Sequence, residues 1–63
     1  MSMISVSSSA IAAIGYEGGT LAVAFRNGGL YYHPGVPYAV YVGLMQALSK
    51  GAYYNAHIRG RYR

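Results

Sequence analysis

Thr20-Leu21-Ala22-Val23-Ala24-Phe25, then Arg26-Asn27-Gly28-Gly29, then Leu30-Tyr31-Tyr32-His33, is the stretch that decides the fold. Leu21, Val23 and Phe25 alternate with Ala22 and Ala24, the two-residue period of a strand. Asn27-Gly28 is the strongest short hairpin signal, since a tight turn needs residues that accept positive φ. Leu30 to His33 reads as the returning strand, and Pro34 ends it because proline cannot donate to a ladder. Upstream, Ile11 to Tyr16 reads as a further strand with Ile14 and Tyr16 on one face. Glu17-Gly18-Gly19 joins it to Thr20 through a second tight turn. The pattern is a three-stranded antiparallel meander.

Downstream, Gly35-Val36-Pro37 opens a helix, with the proline early, where its missing N–H costs nothing. Val40, Leu44 and Leu48 form one stripe flanked by Tyr41 and Met45, and that stripe should lie across the sheet. Gly51 is expected to break this helix, and Ala52 to Ile58 to make a second, short one ended by Gly60. The expected fold class is therefore α+β: a three-stranded antiparallel β-meander with one packed helix and a short C-terminal helix. Residues 1–63 read as a single domain, without internal repeats or low-complexity segments.

At 63 residues the chain can bury only a small core. It has no cysteine, which removes disulfides and thiolate metal sites. Hydrophobic residues make up 54% and charged residues 10%, apolar enough that a homo-oligomer is expected. Met1 to Ala13 lacks a basic signal region, and the apolar run from Tyr38 to Leu48 is too short to span a bilayer. Together these point to the cytoplasm, of a bacterial cell or a phage-infected host, with no membrane partner. Ser7-Ser8-Ser9 in the polar lead-in reads as a frayed end or, alternatively, as hydroxyls for a ligand.

The net charge is +4 and Glu17 is the sole acid, so anions are the natural partners. Four of the five cations lie between Ser49 and Arg63, interleaved with Tyr53, Tyr54, Tyr62, Asn55 and His57. Basic side chains offer charge and forked donors to phosphate, and aromatic rings offer faces to bases. Five cations are few for a duplex binder; a small phosphorylated ligand or a short single strand suits the count better.

The collinear set Val6-Ser7-Ser8-Ser9-Ala10-Ile11, Ile14-Gly15-Tyr16, Leu21, Val23, Phe25, Gly29, Tyr31, Gly35-Val36-Pro37, Val40-Tyr41, Leu44, Ser49-Lys50-Gly51, Tyr53-Tyr54-Asn55, Ile58-Arg59-Gly60 and Tyr62 resembles the KTSC domain family. That family is named for a C-terminal domain of some lysyl-tRNA synthetases. It also occurs as small stand-alone bacterial and phage proteins. The chain departs from it in having His33-Pro34 where an aromatic pair is usual, and in a short first turn. The resemblance implies contact with RNA or nucleotides and no established catalysis.

The candidate ligand-binding residues are Arg59, Asn55, Tyr54, Lys50, His57, Arg61 and Ser8. Asn55 and Arg59, four apart, share a helical face, where an amide and a guanidinium read a base edge and a phosphate together. The competing reading of Asn55 is a bond to local backbone. Lys50 is either a phosphate contact or a helix C-terminal cap. Arg61 and Arg63 are solvated by default. Of the adjacent Tyr53 and Tyr54, one should be buried and one exposed. His33, His57 and Lys50 contain the groups of an acid–base phosphodiesterase, but nothing in their spacing unites them, so no enzyme is expected. Two histidines and one carboxylate at no ligand spacing make neither a metal site nor a hydrolytic triad, and no cofactor is expected. The leading function is a non-catalytic binding module for a phosphorylated nucleotide, extended to a phage-type oligomer that sequesters a nucleotide second messenger of host immunity (immune evasion). The alternatives are an RNA- or tRNA-binding module and a structural or protein-interaction domain.

Overall fold

The computed structural model describes residues 1–62. Its elements are β1 (Met3–Ser5), β2 (Ile11–Glu17), β3 (Thr20–Phe25), β4 (Leu30–His33), α1 (Tyr38–Gln46) and α2 (Lys50–His57). The sheet has four strands in the order β1-β2-β3-β4, each antiparallel to the next. The α+β class and the meander stand, but the expected count of three strands is corrected to four. β1 is only three exposed residues, too short to show a period, and it exists because Met3, Ile4 and Ser5 pair with Gly15, Ile14 and Ala13.

Both expected turns form. Gly18 and Gly19 have φ of 57° and 80°, which closes β2 onto β3 with Glu17 opposite Thr20. In the second turn the Asn27 side-chain oxygen accepts from the Gly29 N–H at 3.1 Å and Gly28 has φ 104°. That Asx geometry is the reason asparagine suits the position.

Pleating gives the sheet two unlike faces. Tyr16, Leu21 and His33 form one cross-strand row, and Ile14, Val23 and Tyr31 the next. This face meets Leu44, Tyr54 and Ile58 from the helical half, and Ile11 and Val36 complete the core. The opposite face carries the rows Met3, Gly15, Ala22, Tyr32 and Ser5, Ala13, Ala24, Leu30. Here Met3 is 40%, Leu30 49% and Tyr32 60% exposed.

The helical half corrects two expectations. α1 stops at Gln46, so Leu48 leaves the stripe and is fully exposed. Gly51 does not break α1; it lies in the first turn of α2, where an added Cβ would sit 3.2 Å from the Ala10 Cβ. The break falls earlier, at Ala47, whose extended ψ of 138° turns the chain. Ser49 then caps α2 by accepting from the Ala52 N–H at 3.3 Å. Pro37 is the N-cap residue of α1.

The N-terminal lead-in is built into the fold. The Ser8 hydroxyl accepts from the Ala10 and Ile11 N–H groups, each at 3.2 Å. The Arg26 guanidinium donates to the Ser8 and Val6 carbonyls, strapping the segment to the second turn. No helix among the described residues is long and apolar enough to cross a membrane.

Candidate functional site

A cleft of about 390 Å³ opens between β4 and the C-terminal end of α2. Its lining brings Phe25, Asn27, Tyr31 and His33 from the second hairpin together with Tyr54, Asn55, Arg59 and Gly60. Three of the expected ligand residues, Arg59, Asn55 and Tyr54, therefore converge. Asn55 in α2 and Arg59 in the turn after it are both exposed, and both line the cleft. Gly60, with φ 78°, turns the chain just after Arg59.

The floor is a hydrogen-bonded pair. His33 Nε2 lies 2.8 Å from the Tyr54 hydroxyl, and His33 Nδ1 donates to the Tyr62 carbonyl at 2.8 Å. A carbonyl can only accept, so Nδ1 carries a hydrogen. Of the adjacent tyrosines, Tyr54 is the buried one, as a helix requires, while Tyr53 is half-buried against α1. Burial pushes the Tyr54 phenol above its ordinary value, and the Arg59 charge partly offsets that while the Tyr31 phenol adds to it. Tyr54 is accordingly a neutral hydroxyl at physiological pH. The walls are aromatic: Phe25 meets Tyr31 and Tyr54 edge-on, with centroids 5.6 and 5.1 Å apart. Tyr31 is 54% exposed and offers a ring face at the rim.

Four candidates lie outside this lining. Lys50 Nζ donates to the Ala47 carbonyl at 3.1 Å, which makes it the C-terminal cap of α1. His57 is exposed, with its ring 4.5 Å from that of Tyr53. Arg61 is exposed beyond Gly60. Ser8 is engaged with backbone at the N-terminal turn. Arg63 falls outside the described residues. Sequence reasoning missed Asn27, Tyr31 and the placement of His33, because the hairpin is remote from the basic tail along the chain. The one available signal was the period of β4, which sets Tyr31 and His33 on the same face as Phe25. His33, His57 and Lys50 do not share a site, and no group of three or more potential metal ligands occurs among the described residues.

A four-stranded antiparallel meander backed by two helices, with an aromatic-walled cleft between them, defines a small α+β domain. The KTSC domain family model matches residues 7–62, and the chain belongs to that family. It is also similar to the crystal structure of a KTSC domain protein from Yersinia pestis, with a TM-score of 0.93 and 36% identity, covering 98% of this chain and 90% of that one. No curated protein matches the chain.

Proposed function

We propose that the protein is a non-catalytic binding module for a phosphorylated nucleotide. One observation carries this reading: the Arg59 guanidinium, the Asn27 and Asn55 amides and the exposed Tyr31 ring meet in one cleft whose lining, among the described residues, has no carboxylate. The guanidinium suits phosphate, and the ring suits a base. The Asn27 oxygen is occupied by the Gly29 N–H, so its amino group is the part left for a ligand. About 390 Å³ falls in the range of small-molecule sites and matches one nucleotide unit better than a duplex. Thermal-shift measurements with mononucleotides, cyclic dinucleotides and tRNA test the reading. A shift with small nucleotides is expected, and its absence throughout would favour a protein-interaction role.

RNA binding is the second reading, supported by the further exposed cation Arg61 outside the cleft. Salt separates the two, because contacts to several phosphates are lost steeply as salt rises, whereas a single pocketed anion is lost less steeply. The wider proposal is a phage-type member acting in the cytoplasm, where an oligomer holds a nucleotide second messenger of host immunity. What supports the oligomer is the apolar sheet face of Met3, Leu30 and Tyr32. Sedimentation at micromolar concentration tests it, and a clean 6.7 kDa species would refute it.

A further inference from the structure

We propose that the cleft binds its anion together with one proton, taken up by His33, with the Tyr54 hydroxyl as the group that turns to the anion. The inference rests on the anion-binding reading above and adds the linkage.

The hydrogens along one chain of bonds set this coupling. The Tyr62 carbonyl fixes a hydrogen on His33 Nδ1. In the neutral ring Nε2 is then a lone pair, and at 2.8 Å it accepts the only hydrogen that Tyr54 has. In that state the Tyr54 oxygen shows the cleft lone pairs alone, which repel an anion. When His33 is protonated, Nε2–H donates to the Tyr54 oxygen. The phenol hydrogen is released to rotate within the ring plane and can donate to an anion held by Arg59. His33 is buried at the cleft floor, so the Tyr54 oxygen stays the acceptor within reach of its Nε2 hydrogen. Protonation and anion binding therefore stabilise one another.

Among the described residues, the charged and titratable groups around the pair are few. α2 and the turn after it contribute Tyr54 and Arg59, β4 contributes Tyr31, and Tyr62 contributes its carbonyl. Among the described residues lining the cleft, Arg59 is the cation that opposes a positive imidazole, and a bound anion removes that opposition. Affinity is therefore highest at low pH and falls as pH rises, by up to about tenfold per pH unit. His33 is a positioning residue, since it acts on the ligand through Tyr54.

The test is calorimetry with two probes, sulfate and a dinucleoside phosphodiester. Unlike a phosphomonoester, neither titrates near pH ~6. Each titration is repeated in buffers of different ionisation enthalpy, which counts protons exchanged on binding. The chain carries two histidines, so His57→Gln, remote from the cleft, serves as the background that leaves one imidazole. The expected result is net uptake approaching one proton per anion, lost in Tyr54→Phe, which keeps the ring between Phe25 and His33 and retains weaker binding through Arg59. Binding without proton uptake would overturn the linkage and leave the binding function standing. Uptake that persists undiminished in Tyr54→Phe would also overturn it, because the coupling would then be simple attraction. No binding of either probe at any pH would overturn both readings.

Discussion

The Nε2 atom of His33 lies 2.8 Å from the hydroxyl of Tyr54, across 21 positions of sequence. This bond joins the edge strand β4 to α2, and the Nδ1 bond to Tyr62 secures the chain beyond α2. The residue that organises the cleft floor is thus also a clasp between the two halves of the fold.

His33→Leu should destabilise the protein by about 2–4 kcal/mol, because it strands the Tyr54 hydroxyl and the Tyr62 carbonyl. Urea unfolding measures this directly. A loss well under about 1 kcal/mol would show that water replaces both bonds, and that the clasp is unimportant.

Arg59→Ala should weaken nucleotide binding by ~1.5–3 kcal/mol, the range for hydrogen bonds to charged groups, with the fold unchanged. Arg59 is exposed, and the backbone bond from its N–H to the Tyr54 carbonyl does not need the side chain. Arg63→Ala should change binding little at physiological salt. Calorimetry on both variants separates a positioned guanidinium from diffuse charge; equal small losses would mean the latter.

Gly43→Ala should cost about 1–3 kcal/mol through overpacking. A Cβ at Gly43 would run into the Tyr53 ring, with Cζ only 2.7 Å away, and the ring is the side chain that seats α2 on α1. The same substitution should lower nucleotide affinity, since α2 carries Tyr54 and Asn55. A Gly43→Ala variant as stable as the parent, by thermal melting, would show that Tyr53 moves aside without loss.

The raised Tyr54 phenol gives a direction at alkaline pH. Its ordinary ionisation lies near pH ~10, so above that the unfolded chain loses the proton first and the folded chain retains it. Stability therefore falls as pH rises above about 10. In Tyr54→Phe this part of the fall should be absent, although the chain's other tyrosines titrate there too. Chemical denaturation at pH values on either side of ~10, comparing slopes, checks it. Identical slopes would mean that the phenol ionises as freely folded as unfolded.

Much of the fold was legible because its signals are local. Asn27-Gly28 and Gly18-Gly19 specify tight turns through their own backbone freedom, and the alternation at Leu21, Val23 and Phe25 needs no partner to be read. β1 was not legible, since three exposed residues carry no period and acquire strand geometry only by pairing with β2. The end of α1 was misplaced for a related reason. Leu48 continues the helical spacing on paper, but the chain turns at Ala47, and Ser49 captures the Ala52 N–H to begin α2.

The basic tail pointed to Arg59, Asn55 and Tyr54 through residue type and spacing, although α2 ends at His57 and Arg59 reaches the cleft from the turn after it. By itself, then, the sequence determined the strands that have periods, the turns that have glycines and one wall of the cleft. The tertiary structure alone decided the other wall. Asn27, Tyr31 and His33 reach that cleft through the register of β3 with β4 and the packing of α2 on the sheet. Those are long-range contacts set by the burial of Val23, Leu21, Leu44 and Ile58, and no local propensity encodes which distant side chains such packing brings within hydrogen-bonding distance of each other.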